Sequence, residues 1–139
     1  MPNAPFPMQD SIIAYGVDGR ASLVEQPLET LEESAFSHLV GVIEFTDDES
    51  VHADHWEIHP GGDEILYVLE GRLLAVIEHD GRPEEAVIAA GQGFVMPRAS
   101  WHRLKVLEPG RLLFFTPTQG IALRPVAPDA VRHGSPATA

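Results

Sequence analysis

Between residues 11 and 118 the chain alternates short apolar runs with turn-forming punctuation. The runs are Ser11–Tyr15, Phe36–Phe45, Ser50–His59, Glu64–Gly71, Arg72–His79, Glu84–Ala90, Gly93–Pro97, Trp101–Leu107 and Arg111–Pro117. They are rich in β-branched, aromatic and aliphatic residues, and several alternate apolar with polar positions, so each predicts a strand. Between them stand Asp18-Gly19, Thr46–Ser50, Pro60-Gly61-Gly62, Asp80-Gly81 and Pro109-Gly110. Asp80-Gly81 predicts a two-residue hairpin, because a type I′ turn needs positive φ at both central positions. Apolar spacing of three and four never persists for several turns, and only Pro27–Ser34 predicts a helical turn or short helix. Many short strands without intervening helices predict an all-β antiparallel sandwich or barrel. The proline-rich start predicts an arm over residues 1–10, and the Pro-, Ala-, Ser- and Gly-rich end predicts a tail over 125–139. One domain over 11–124 lies between them.

Composition narrows the chemistry. At 139 residues there is room for one domain with a real core. Nine Lys and Arg against 21 Asp and Glu give a formal charge of −12, which argues against a basic grip on nucleic acid or anionic lipid. The absence of cysteine removes disulfides, thiolate nucleophiles and Cys-based metal sites, leaving His, Asp and Glu as the strong metal ligands. No run approaches the roughly 20 apolar residues of a membrane span, and Met1–Pro5 has no basic flank or apolar stretch of a signal peptide. A cytoplasmic location is the expectation. Nucleophile elbows, phosphate loops, dinucleotide glycine motifs and H-E-x-x-H are absent from the sequence.

Four of the seven histidines, His38, His52, His55 and His59, crowd into one region. Read as one strand, Ser50–His59 puts His55, Glu57 and His59 on one face. The tight turn Pro60–Asp63 then brings Glu64, at the start of the next strand, close to His59, so Glu57, His59 and Glu64 can converge. In a small barrel a later strand can close the cluster, and His102 is the best candidate because it opens the alternation His102, Leu104, Val106. His55 lies about 13 Å from His59 along an extended strand and reaches the outer part of the site at best. Leu66, Val68, Leu104, Phe94, Met96 and Phe114 are the expected apolar lining. Trp56 and Trp101 neighbour site residues and therefore point to the opposite face, for packing between sheets or subunits. Arg98 either meets an anionic substrate at the mouth or sits in a surface turn. His52 falls at the barrel mouth or on its exterior, and His38, His79 and His133 are expected to be solvated.

These segments resemble the two motifs of the cupin superfamily, small jelly-roll barrels of the double-stranded β-helix type. Glu57-Ile-His59-Pro-Gly-Gly-Asp-Glu64 through Gly71 keeps His59, Glu64 and Gly71 at the spacing of the first motif, including its Tyr-Val-Leu-Glu-Gly ending. Gly91 through His102 keeps Gly91, Pro97 and His102 of the second. The resemblance covers about residues 40–118. Four positions depart from the pattern: Glu57 stands at the first histidine, Val51 at the leading glycine, Ala99 at the second-motif glycine and Val106 at the asparagine.

The resemblance implies an RmlC-like cupin barrel holding a divalent metal through His59, His102, Glu64 and Glu57, with a small molecule as ligand or substrate and homodimers as the assembly. Three His and one Glu around a divalent cation carry net +1, whereas two His and two Glu are neutral, which lowers Lewis acidity. The oxygen-rich set suits Mn, Fe, Zn or Ni without choosing among them. Two readings stay open. In the first the protein is a metal-dependent enzyme such as an oxygenase, decarboxylase, lyase or isomerase. In the second it is a non-catalytic binding or sensing barrel. Without metal, mutual repulsion of Glu57 and Glu64 raises one pKa, which suits general acid–base work by these carboxylates.

Overall fold

A computed structural model describes residues 4–127 of the chain. The fold is an all-β jelly roll, a double-stranded β-helix of antiparallel strands. Nine strands are formed among the described residues: β1 (Ile12–Gly16), β2 (Ala21–Leu23), β3 (Phe36–Phe45), β4 (His55–Ile58), β5 (Glu64–His79), β6 (Arg82–Ala89), β7 (Gly93–Met96), β8 (His102–Pro117) and β9 (Ala122–Pro125). Short 3₁₀ turns at Leu28–Thr30 and Glu33–Ala35 occupy the stretch expected to be briefly helical. None of the helices described is long and apolar enough to cross a membrane.

The strand order β2-β1-β3-β8-β4-β9 makes β8 the hub, with β5 pairing β6, β7 and β8. Both β5 and β8 are 16 residues long and run straight through the places where the apolar pattern predicts a break. Pro109-Gly110 is therefore not a hairpin turn. It sits opposite Glu70-Gly71, where the β5–β8 register slips repeatedly between Val68 and Leu73. Such slips are β-bulges, which bend a strand without ending it. A Cβ on Gly110 would overlap the Glu70 carbonyl, so the two chains can bend together here only because glycine stands at this point. Asp80 and Gly81 have φ of 52° and 78° and join β5 to β6 as the expected hairpin.

Along the first half of β5, Glu64, Leu66 and Val68 point inward while Ile65 and Tyr67 point outward, the period of two expected of a half-buried strand. The core gathers Phe45, Leu66, Val68, Leu73, Ala75, Ile88, Met96 and Leu112. Val68, Met96 and Phe94 belong to this packing rather than to a ligand-lining surface.

Ser50–His59 is not one strand. Asp47 accepts from the Ser50 amide at 3.1 Å and caps a 3₁₀ turn over Asp48–Val51, which ends at His52 in the left-handed region (φ 53°). The extended run begins only at His55. Asp48 accepts from the Val106 amide at 2.7 Å, tying this turn to β8. On the outer face, Arg124 lies between Trp101 and Trp56, at 4.7 and 5.5 Å from their ring centres, and Arg103 covers Trp56 at 5.3 Å. Both tryptophans thus turn away from the interior, as their neighbours' inward position requires. The last strand runs to Pro125 and Val126 is buried, two residues into the segment expected as a tail.

Candidate metal centre

Only three charged or polar residues are fully buried among the described residues: His59 (2% exposed), His102 (3%) and Glu64 (7%). All three were singled out by spacing. Glu57 pairs directly with His102 across β4 and β8, so their side chains stand side by side on the same face. His59 follows just after β4, and its carbonyl accepts from the Ala99 amide at 3.1 Å. Ala99 itself has φ 59°, a conformation that favours the glycine found at this point in the related motif. Glu64 opens β5 on the inward face.

The four groups converge tightly. His59 Nε2 lies 3.1 Å from Glu57 Oε1 and 3.7 Å from Glu64 Oε2. His102 Nε2 lies 3.5 Å from Glu64 Oε1 and 3.8 Å from Glu57 Oε1. The imidazoles stack with centroids 5.0 Å apart. Glu57, His59 and His102 each offer a ligand atom within 4.8 Å of the others. Glu64 lies outside that trio but within reach of both rings, and Thr116 Oγ1 donates to its Oε2 at 2.6 Å.

Ring chemistry fixes which nitrogens face inward. His102 Nδ1 lies 3.0 Å from the Ser100 carbonyl oxygen, which can only accept, so Nδ1 carries the proton. Its Nε2 therefore faces the carboxylates and lacks a hydrogen-bond partner despite burial. A buried, unpartnered imidazole nitrogen beside two carboxylates, on a ring whose other nitrogen is held by a carbonyl, is what a metal ligand with its supporting hydrogen bond looks like. His59 Nδ1 is also buried without a full hydrogen bond, and the Pro117 carbonyl near the ring favours the protonated form only weakly. The residues present therefore fit a divalent cation.

Electrostatics agree with this geometry. For His59 burial is the largest influence and lowers the pKa, but the Glu57 hydrogen bond and the charges of Glu64 and Glu57 outweigh it and hold the ring above its ordinary value. For Glu57 burial pushes upward most strongly, yet the hydrogen bond and charge of His59, with His102 and His52 behind them, leave it below the ordinary carboxylate value. A proton or a cation is thus favoured between these groups.

Glu57, Glu64 and His102 of the cluster line a cavity of about 760 Å³. Leu66, Leu104 and Phe114 line it as expected, joined by Ile43, Leu112 and Leu123. His52 and His55 stand on its wall, and His55 Nδ1 meets Asp54 Oδ1 at 2.9 Å. Neither joins the ligand trio. His38 corrects the expectation of a solvated ring: it stacks on Phe115 at 4.3 Å, and burial lowers its pKa. His79 is exposed and 3.6 Å from Glu84, while His133 lies outside the described residues. Arg98 fastens the site turn, its amide donating to Asp63 and its Nε to the Pro60 carbonyl, both at 2.7 Å. Thr116 was missed by sequence reasoning, although the inward alternation Leu112, Phe114, Thr116 contains it.

A jelly roll whose interior carries this His/Glu cluster defines the class. Residues 41–117 match the cupin domain, and the chain belongs to that family. Among solved structures it is similar to a cobalt(II) form of HppE in complex with substrate (23% identity, TM-score 0.46, covering 58% of this chain and 44% of that one). It is also similar to hydroxypropylphosphonic acid epoxidase from S. wedmorenis in complex with fosfomycin (20%, TM-score 0.43, 57% and 42%). A third likeness is to a cupin-2 domain containing protein from Shewanella frigidimarina (19%, TM-score 0.46, 58% and 71%). The chain spans less than half the length of the first structures it matches. No curated protein matches its sequence.

Proposed function

We propose that Glu57, His59 and His102, with Glu64, hold a divalent cation, and that the protein is a metal-dependent enzyme acting on a small organic molecule in the barrel. The observation that supports this best is His102 Nε2, buried and aimed without a hydrogen-bond partner at two carboxylates while Nδ1 donates to the Ser100 carbonyl. A bound cation supplies Lewis acidity toward a substrate oxygen. The chain's own contributions are orientation and shelter. Ser100 fixes the His102 tautomer, Thr116 steers Glu64, and Ile43, Leu66, Leu104 and Phe114 exclude water around the substrate's body. Glu57, with side chain 39% exposed, is the carboxylate best placed to exchange a proton with a bound molecule. The working unit is the single domain over about residues 11–124. The reaction classes compatible with this donor set are oxygenase, decarboxylase, lyase and isomerase.

Metal analysis of purified wild type and His102→Ala is the decisive test. Stoichiometric Mn, Fe, Zn or Ni in the wild type and its loss in the variant are expected. A wild type that stays metal-free after incubation with each of these ions would sink the proposal. Oxygen uptake with diketones, phenols and alcohols then separates oxygenase from redox-neutral chemistry. The second reading, a metal-free binding barrel, draws on the Glu57–His59 hydrogen bond of 3.1 Å, which closes the cluster by itself.

A further inference from the structure

We infer that the cavity selects neutral or amine-bearing molecules with an apolar body and turns away carboxylates, phosphates and other anions. The inference builds on the metal-centre reading and adds the substrate's charge. It starts from a count of charges on the wall. Glu57 and Glu64 line the cavity inside and the exposed Asp10 and Glu44 line it toward solvent, with His52, His55 and His102 beside them and one Arg or Lys among the described residues, Arg103.

Arg103 is held in place by one of its nitrogens, while its Nε is buried without a hydrogen-bond partner. Its Nη1 donates to the Ala53 carbonyl at 3.0 Å, and its guanidinium covers the outward-facing ring of Trp56. Arg98, the other candidate for meeting an anion, spends its Nε on Pro60. A divalent cation held by both Glu57 and Glu64 leaves the metal centre with no net charge, so the ion's attraction for an anion is cancelled locally. Histidine in place of Glu57 would leave the same centre at +1. Glu57 in place of histidine therefore removes the centre's net attraction for anions, while the apolar wall of Ile43, Leu66, Leu104, Leu112 and Phe114 still asks for a hydrophobic body. A hydroxyl or ammonium can donate to Glu57, whereas a second carboxylate can only repel it.

The test uses one skeleton with three head groups: phenethylamine, phenethyl alcohol and phenylacetate. Each is titrated calorimetrically into Zn²⁺-treated protein at about pH 8, where free imidazole is neutral, with zinc content measured on the same samples. The amine and the alcohol are expected to bind about ten-fold or more tightly than phenylacetate. Glu57→His is expected to shift the ratio toward phenylacetate by about ten-fold, and Glu57→Gln in the same direction should the first variant fold poorly. Phenylacetate binding as tightly as the alcohol in wild type overturns the inference, as does binding of none of the three at millimolar concentration. Protein that carries no zinc but keeps the order amine, alcohol, acid refutes the metal centre and leaves the selectivity standing, because the acidic wall disfavours anions without the ion.

Discussion

Replacing Thr116 by Val removes one hydroxyl and keeps the side-chain shape. Thr116 Oγ1 donates to Glu64 Oε2 at 2.6 Å, and Glu64 is only 7% exposed, so water reaches the abandoned oxygen poorly. A hydrogen bond to a charged group contributes about 1.5–3 kcal/mol, and the new methyl's apolar contacts offset part of its loss, leaving about 1–2 kcal/mol. For a domain of this length each kcal/mol moves Tm by roughly 3–5 °C, so the metal-free variant is expected to melt about 3–10 °C lower by circular dichroism. The same change frees the Glu64 carboxylate to rotate, and loss of such a supporting bond typically weakens metal affinity about 10–100-fold. Competition against a chromogenic chelator measures that quantity independently. A lowered Tm with undiminished affinity would remove Glu64 from the ligand set. No change in either would refute the reasoning that the Thr116 hydroxyl holds Glu64.

Two further predictions concern the pH response and the strand bend. His59 has a raised folded pKa, so its contribution to the metal-free fold is complete below its ordinary 6.5 and disappears as pH rises through the folded value. Glu57 has a lowered one, so its contribution holds above 4.5 and disappears as pH falls through the folded value. Because metal must displace the His59 proton, the rise in Tm caused by added Zn²⁺ is expected to grow from about pH 6 to about pH 8; a flat response would contradict the placement of His59 at the ion. Gly110→Ala drives a Cβ into the Glu70 carbonyl and is expected to cost about 2–4 kcal/mol by urea unfolding. Gly91→Ala, with φ 85° but open space around it, should cost only about 1–2 kcal/mol, and the reverse order would refute the steric account of the bend.

The site was more legible than the strands that carry it. Glu57, His59 and Glu64 sit within eight residues of one another around a tight turn, so local geometry alone brings them together, and β4–β8 pairing adds His102. The inward alternation of Glu64, Leu66 and Val68 follows directly from burial of one face. The continuity of β5 and β8 was hidden because Gly71 and Pro109-Gly110 look like turns in isolation. Only their mutual packing turns each into a bulge. The period-two reading of Ser50–His59 failed for a local reason that was present in the sequence, since Asp47 and Ser50 form a reciprocal cap that nucleates a 3₁₀ turn. His38 was read as solvated because nothing near it in sequence reveals Phe115, which reaches it only through the β3–β8 ladder.

The pairing of β8 with β3, β4 and β5 bears on how fast the barrel can fold. His38 pairs opposite Pro117 and Glu57 opposite His102, so the ladders that build the barrel join segments far apart along the chain. Chains dominated by such distant pairings fold in milliseconds to seconds, because loop closure must be achieved before the contacts reward it. Glu57 and His102 meet through a single pair of residues, and that pair forms only when β8 has docked. Assembly of the Glu57, His59 and His102 cluster can be no faster than that docking step, which ties completion of the site to completion of the β4–β8 contact.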